Sequence, residues 1–373
     1  MSVVCLRGRV VLERGVLDGG VLVLDGGRIR AVDREPPAAA SLHDLGESYL
    51  LPGFVDLQVN GSFGLDVATE PDRLPELSAR LPETGVTAYL PAVISAPASS
   101  YPRILSGLDY GDGGAEALGV HLEGPFINPE RRGAHAARNL LAPDARFLSG
   151  LLDTAPVRLL TLAPELRGAE GLIRLCAERG TVVSAGHSDA SFEEATRAFG
   201  EGVRGVTHLF NAMSPLHHRD PGLPGAAFSD DRAVCGIIAD GRHVHPETLR
   251  LAYRLLGPER MYLTTDAISA AGTGPGEFTL AGRSVTVSGG LPRLDSGEIS
   301  GSILTMDEAF RNVLSFTGCT IAEAARMAAT TAAELIGADR KGRLAPGYDA
   351  DVVALSPELE VEAVWRAGEL LEV

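Results

Sequence analysis

The sequence predicts an α/β chain, a (β/α)8 TIM-like barrel with a small β-sandwich lobe built from both termini. Three observations carry that expectation. Eight short apolar runs, separated by helical stretches, lie between residues 50 and 268, and eight parallel strands are what closes such a barrel. Before them, VVLERGVLDGGVLVLDGGRIRAV alternates apolar and polar positions between glycines, the pattern of short antiparallel strands joined by tight turns. After them, GRLAPGYDADVVALSPELEVEAVWRAGELL (342–371) returns to that alternation, so the C-terminus is expected to complete the lobe. The expected divisions are 1–49 and 341–373 for the two parts of the lobe, and 50–340 for the barrel.

In order, the runs are LLPGFVDLQVNG (50–61), GVTAYLPAVIS (85–95), GVHLEGPF (119–126), VRLLTLAPE (157–165), TVVSAGHSD (181–189), GVTHLFNAM (205–213), AVCGIIADG (233–241) and MYLTTDAI (261–268). Ser191 and Glu194 have capping-box spacing and open a helix over 191–201. The Gly-rich stretch 272–300 has a strand-like centre and directly follows the eighth run, which predicts a long loop or hairpin over the barrel mouth. The alanine-rich stretch 321–336 reads as a helix stopped by Gly337.

Composition narrows the function. With 373 residues, 45% of them hydrophobic, the chain can bury a large core. Lys and Arg total 33 against 49 Asp and Glu, a net charge of -16, which argues against nucleic acid or an anionic membrane as the main partner. The four cysteines are far apart and the first residues lack a basic-then-apolar leader, so a reducing cytoplasm is the expected location. No stretch approaches the ~20 apolar residues of a membrane span.

Glu123, His187, His208 and Asp266 each stand at or just past the end of an apolar run. In a parallel barrel the strand C-termini share one face, so these four should converge. One carboxylate and two imidazoles form a catalytic zinc set with a position left for water. Asp266, at the end of the eighth run, is then the candidate general base. A lone strand-end His is ordinarily a structural residue, but two in successive runs with a Glu favour a metal.

Six motifs carry a resemblance: PGFVDLQVNG, HLEGPFINPERRGAH (121–135), SAGHSDA (184–190), THLFNAMSPLHHRDPG (207–222), ADGRHVHP (239–246) and TTDAI. In this order they resemble the N-acetylglucosamine-6-phosphate deacetylases of the amidohydrolase superfamily, over nearly the whole chain. The resemblance implies hydrolysis of N-acetyl-D-glucosamine 6-phosphate to D-glucosamine 6-phosphate and acetate, and commonly a homodimer. It implies that His135 polarises the acetyl carbonyl, and that Ala134, Asn211, Ala212, Arg219, His243, Ile299, Ser300 and Gly301 contact substrate, Arg219 reaching the neighbouring active site. Most amidohydrolases carry an HxH pair after the first strand; here Gln58 and Asn60 stand there, poor ligands by comparison and read as vestigial positions of a second metal. One divalent ion per chain is expected, zinc first, with iron, cobalt or manganese as alternatives.

Two rivals remain open at this point. Another amidohydrolase, such as an N-acyl amino acid deacylase, could use the same barrel and base. A non-catalytic barrel acting as a binding protein is the other, and the presence of all three ligands and the base speaks against it.

Overall fold

The structure, a computed structural model, describes residues 3–38 and 40–372. Each of the eight apolar runs contains a strand: Phe54–Val59, Val86–Ile94, Val120–Glu123, Val157–Leu162, Val182–Ala185, Gly205–Val206, Val234–Ile237 and Met261–Leu263. They lie side by side in that order, every neighbouring pair parallel. A parallel bridge from Val59 to Ala267, just beyond the eighth strand, links the first strand back to the last. Every residue of Phe54–Val59 and Val86–Ile94 is buried. Barrel strands are covered by helices outside and packed side chains inside, which is why their sequences read as unbroken apolar runs. Asp56 reinforces the closure, accepting from the Thr264 hydroxyl at 2.8 Å and from the Thr265 backbone N–H and hydroxyl.

The termini form the second body. Val4–Leu12, Gly15–Asp25, Arg28–Asp33 and Ser41–Pro52 join Val352–Leu355, Val361–Arg366 and Glu369–Leu371 in one seven-stranded sheet. Its strands share an apolar cluster that includes Leu6, Leu22, Ile29, Leu50, Val352 and Trp365. Ser41–Pro52 continues past residue 49 and pairs with the C-terminal strand at Val352↔Pro52, so the chain leaves the lobe at Gly53 and enters the barrel at Phe54.

Local signals hold elsewhere too. Phe192–Glu201 is capped by the Ser191/Glu194 box. The alanine-rich segment is helical from Ile321 to Leu335, ending before Gly337 in the left-handed region, but its middle, Arg326–Thr330, is a π-turn. Residues 276–294 fold into three antiparallel strands, Gly276–Leu280, Arg283–Ser288 and Leu291–Leu294. The inner face of this hairpin sheet, with Leu280, Val285 and Val287, packs on Ile94 and Ile268 at the barrel mouth. Buried Asp66 anchors one corner by accepting the Ala281 N–H at 2.7 Å. Arg283 ties it to the 127–139 loop through the Ala134 carbonyl. The sheet thus roofs the face where the strands end.

Candidate active site

Glu123 closes the third strand, while His187, His208 and Asp266 follow the fifth, sixth and eighth. All four are nine-tenths or more buried. The last three have φ of 48, 31 and 50°, the left-handed region that residues other than glycine seldom adopt. Strain of this kind persists only where the surroundings impose it, and here it occurs at three polar residues that face one point.

That point is a triangle. Glu123 Oε1 lies 3.2 Å from His187 Nε2 and 3.1 Å from His208 Nε2, and the two nitrogens are 3.1 Å apart. The His187 Nδ1–H donates to the Arg131 carbonyl at 2.9 Å, leaving the Nε2 lone pair turned to the triangle. Two imidazole lone pairs and a carboxylate oxygen at these distances repel unless a proton or a cation sits among them. Tetrahedral bonds of about 2.1 Å separate ligand atoms by roughly 3.4 Å, close to these spacings, so the triangle fits a divalent ion. Burial alone would push the Glu123 carboxyl up, but His135, His187 and His208 hold it well below the usual carboxylate range. Burial, then the nearby His135, depresses His187 to about 4, so it is neutral and available as a ligand.

His135 also comes close: its ring, Glu123 and His187 bring ligand atoms within 4.8 Å of one another. Its chemistry is different. The Ser95 backbone N–H donates to His135 Nδ1 at 3.2 Å and the Ser95 hydroxyl lies 2.8 Å from the same atom. Nδ1 is therefore an acceptor, the neutral ring carries its proton on Nε2, and that N–H points to Glu123 Oε2 at 3.5 Å. A donor there cannot be a metal ligand; it can serve a developing oxyanion.

Gln58 and Asn60, expected to be vestigial, are engaged. Gln58 Nε2 donates to Glu123 Oε1 at 2.8 Å and to Asp266 Oδ1 at 2.9 Å, and Asn60 Nδ2 donates to Asp266 Oδ1 at 2.8 Å. Asp266 Oδ1 is thus fixed by two amides, and Oδ2 has no protein donor among the described residues. Burial, then the charge of Glu123, raises the Asp266 carboxyl to about 7, a proton affinity suited to giving and taking at neutral pH.

A cavity of about 370 Å³ opens above this cluster. Ala134, Asn211, Ala212, His243, Ile299 and Gly301 all line it. Phe210 and Ala212 have φ of 78 and 47°, so the turn after His208 alternates in backbone hand; the N–H groups of Leu209, Phe210 and Asn211 are spent on Gly236, Met213 and His208. Asp240 Oδ2 accepts from His243 Nδ1 at 2.6 Å and leaves Nε2 for a ligand. Burial pushes Asp240 up, but His243 and the backbone N–H groups outweigh it and hold the carboxyl low. Two predicted residues are not in the lining. Ser300 is fully buried, its N–H bonded to the Pro292 carbonyl. Arg219 is exposed on the loop after Met213 and does not enter the cavity of its own chain.

Ser95, Asp240 and the Arg131 carbonyl were missed. Ser95 and Asp240 end the second and seventh runs, the same position that marks the ligands, so a signal existed. A backbone carbonyl leaves none.

Set beside known proteins, residues 49–371 match the amidohydrolase family. Within that class the chain is 37% identical to the N-acetylgalactosamine-6-phosphate deacetylase of Escherichia coli O157:H7, over 99% of both chains. It is 39% identical to the human N-acetylglucosamine-6-phosphate deacetylase, over 98% of this chain and 93% of that one. Among solved structures, a mutant N-acetyl-D-glucosamine-6-phosphate deacetylase from Mycobacterium smegmatis in complex with N-acetyl-D-glucosamine-6-phosphate superposes with a TM-score of 0.93, at 31% identity and full coverage of both chains. The Thermotoga maritima N-acetylglucosamine-6-phosphate deacetylase gives 0.88 at 34%, covering 98% of each. The chain belongs to the amidohydrolase family, in its N-acetylglucosamine-6-phosphate deacetylase branch. No helix among the described residues is long and apolar enough to cross a membrane.

Proposed function

We propose that this chain hydrolyses N-acetyl-D-glucosamine 6-phosphate to D-glucosamine 6-phosphate and acetate. The observation that carries the reading is the convergence, at the floor of one cavity, of a ligand triangle, a carboxylate with one free oxygen and an imidazole N–H. Amide hydrolysis asks for a Lewis acid, a proton shuttle and an oxyanion donor, and the three groups match those needs.

Glu123, His187 and His208 would hold one divalent ion, zinc first, though a mixed nitrogen and oxygen set also accepts iron, cobalt or manganese. When bound, it would supply Lewis acidity to the acetyl carbonyl and acidify water. Asp266, with Oδ1 pinned by Gln58 and Asn60, takes a proton on Oδ2 from the attacking water and returns it to the amine as the C–N bond breaks. His135 donates its Nε2–H to the carbonyl oxygen as negative charge builds there. The hairpin sheet over 276–294 limits water at the roof.

For the sugar phosphate, the Ala212 turn offers a backbone donor, His243 presents its Nε2 to the cavity, and Ala134, Asn211, Ile299 and Gly301 shape the walls. Arg219 fits a role across a homodimer: it is exposed, and Leu216 on the same loop is 52% exposed, a face suited to a second copy. The cytoplasm fits a soluble sugar phosphate as substrate.

Acetate release from N-acetylglucosamine 6-phosphate and from its unphosphorylated parent tests the proposal, using chelated protein reconstituted with graded zinc. Strong phosphate preference that saturates with added metal is the expected result. No turnover of either with any divalent ion would sink it, and sedimentation of a monomer at assay concentration would remove Arg219 from the site.

A further inference from the structure

The apolar runs end at polar residues that act in the chemistry above or fix one that does. The fourth is the exception: it ends at Glu165. This residue follows the strand Val157–Leu162, is half-buried and does not line the cavity. Its carboxylate nonetheless takes three donors. Oε1 accepts from Asn128 Nδ2 at 2.9 Å and from the Asp189 N–H at 2.6 Å, and Oε2 accepts from the Ser188 hydroxyl at 2.7 Å. The donors stand 37, 24 and 23 residues from Glu165 in sequence, so this is no local turn cap.

All three donors belong to the surroundings of His187. Ser188 and Asp189 follow it directly, where the chain leaves the left-handed conformation at φ of 48°. Asn128 reaches it by another path. Its backbone N–H donates to the His187 carbonyl at 2.9 Å, and its Oδ1 accepts the Glu130 N–H at 2.9 Å, which caps the short turn Pro129–Arg131. That turn delivers the Arg131 carbonyl to which the His187 Nδ1–H donates. One carboxylate therefore grips both the backbone that carries the ligand and the turn that aims its ring. The Arg131 guanidinium also bridges to Asp189, but the two side chains are 35 and 46% exposed, so water screens that link.

We propose that Glu165 is a positioning residue for the metal: it locks His187 at the angle that turns Nε2 into the triangle with Glu123 and His208. Its loss weakens metal binding without removing a ligand. This rests on the metal reading of the triangle above. Partners behind a metal-bound imidazole fix its tautomer and orientation, and losing them commonly costs about 10- to 100-fold in affinity.

The test is the zinc affinity of the metal-free full chain, measured by competition with a chromophoric chelator. Glu165→Ala should bind zinc about 10- to 100-fold more weakly than wild type. Glu165→Gln should recover most of that loss, because its amide oxygen can take both Oε1 donors and its NH2 can donate to the Ser188 oxygen. Asn128→Ser keeps a capping oxygen for the Glu130 N–H and loses the donor to Glu165. It should show part of the loss, and the double variant should cost little more than Glu165→Ala, since both act through one path. The same variant reads that path if Glu165→Ala does not fold. With cobalt in place of zinc, the visible spectrum should be alike for wild type and Glu165→Gln and shifted in Glu165→Ala. Equal zinc affinity in wild type, Glu165→Ala and Asn128→Ser would mean a structural role and overturn the proposal, as would a loss in Glu165→Gln as large as in Glu165→Ala. Wild type that takes up no zinc would sink the metal reading and this one with it, a result distinct from tight binding that ignores residue 165.

Discussion

Lys341 is the sole lysine of the chain, beside 32 arginines. Its Nζ lies 2.6 Å from Glu116 Oε2, 2.7 Å from Asp351 Oδ2 and 3.1 Å from Asp349 Oδ2, joining the edge of the barrel to the segment that enters the C-terminal strands. A tetrahedral ammonium offers three donors to three oxygens, whereas a planar guanidinium cannot meet them in the same space. Lys341→Met strands Asp351, whose side chain is 4% exposed, without its cation. Removing one member of a buried pair costs about 3–5 kcal/mol; Glu116, at 45% exposure, adds little because water screens it. Burial pulls the ammonium's proton affinity down, but Asp351, followed by Glu116, outweighs it and holds the group above an ordinary lysine. A folded pKa raised above the unfolded one gives stabilisation that is complete below the unfolded value of about 10.4 and lost as pH rises through the folded value. Urea unfolding should therefore show a constant gap between wild type and Lys341→Met from pH 7 to about 9, narrowing above roughly 10.4. Lys341→Arg should recover part of it. Glu116 pairs beside Ala88, in the first half of the second strand and away from Ser95 at its end, so kcat should not change. A gap under about 1 kcal/mol at pH 7, or one that ignores alkaline pH, would refute the reasoning.

Asp266→Asn should keep the fold and bind metal while kcat drops by about 10²- to 10⁴-fold, the usual yield of a general acid–base; near-normal turnover would remove Asp266 from that role. His135→Gln should lower kcat by about 10²- to 10³-fold with little change in KM, because its N–H acts on charge that appears only in the transition state. An equal rise in KM would assign it to ground-state binding instead. Stripping the metal should abolish turnover and lower the melting temperature, since an ion held at 1,000 times its Kd stabilises the folded chain by about 4 kcal/mol. Unchanged melting on chelation would say that the triangle holds no ion.

Much of this was legible because a doubly covered strand needs unbroken apolar sequence, and all eight runs supplied it. The ligands were legible for a related reason: a polar residue that ends such a run must lie at the barrel mouth. Where the pattern misleads is in GVTHLFNAM, apolar for most of its length, whose strand is only Gly205–Val206. The backbone leaves the sheet at Thr207 and passes through left-handed conformations at His208, Phe210 and Ala212, which no side-chain period records. The π-turn at Arg326–Thr330 is invisible for the same reason, since alanine and threonine fit either spacing. The Arg131 carbonyl acts through a loop path fixed by tertiary contacts, and local sequence carries no trace of it.

Gln58 and Asn60 decide how many ions the site can take. A second cation beside Asp266 would need lone pairs aimed at it, as the imidazoles of an HxH pair provide. Here the groups facing Glu123 and Asp266 are amide N–H donors, at 2.8 to 2.9 Å. Flipping either amide would set oxygen against carboxylate oxygen at that same distance, so the network itself fixes the orientation. The amides thus take over part of a cation's work, hydrogen-bonding and aligning two buried acids with donors that carry no net charge, and they occupy the space in doing so. Elemental analysis of the dialysed protein should find one tightly held equivalent per chain, and Gln58→Ala should lower kcat by removing one of the two donors that fix Asp266 Oδ1 while leaving that count at one. Two equivalents in the wild type would mean that the amides turn their oxygens to a metal and that the donor network is not the state of the loaded enzyme.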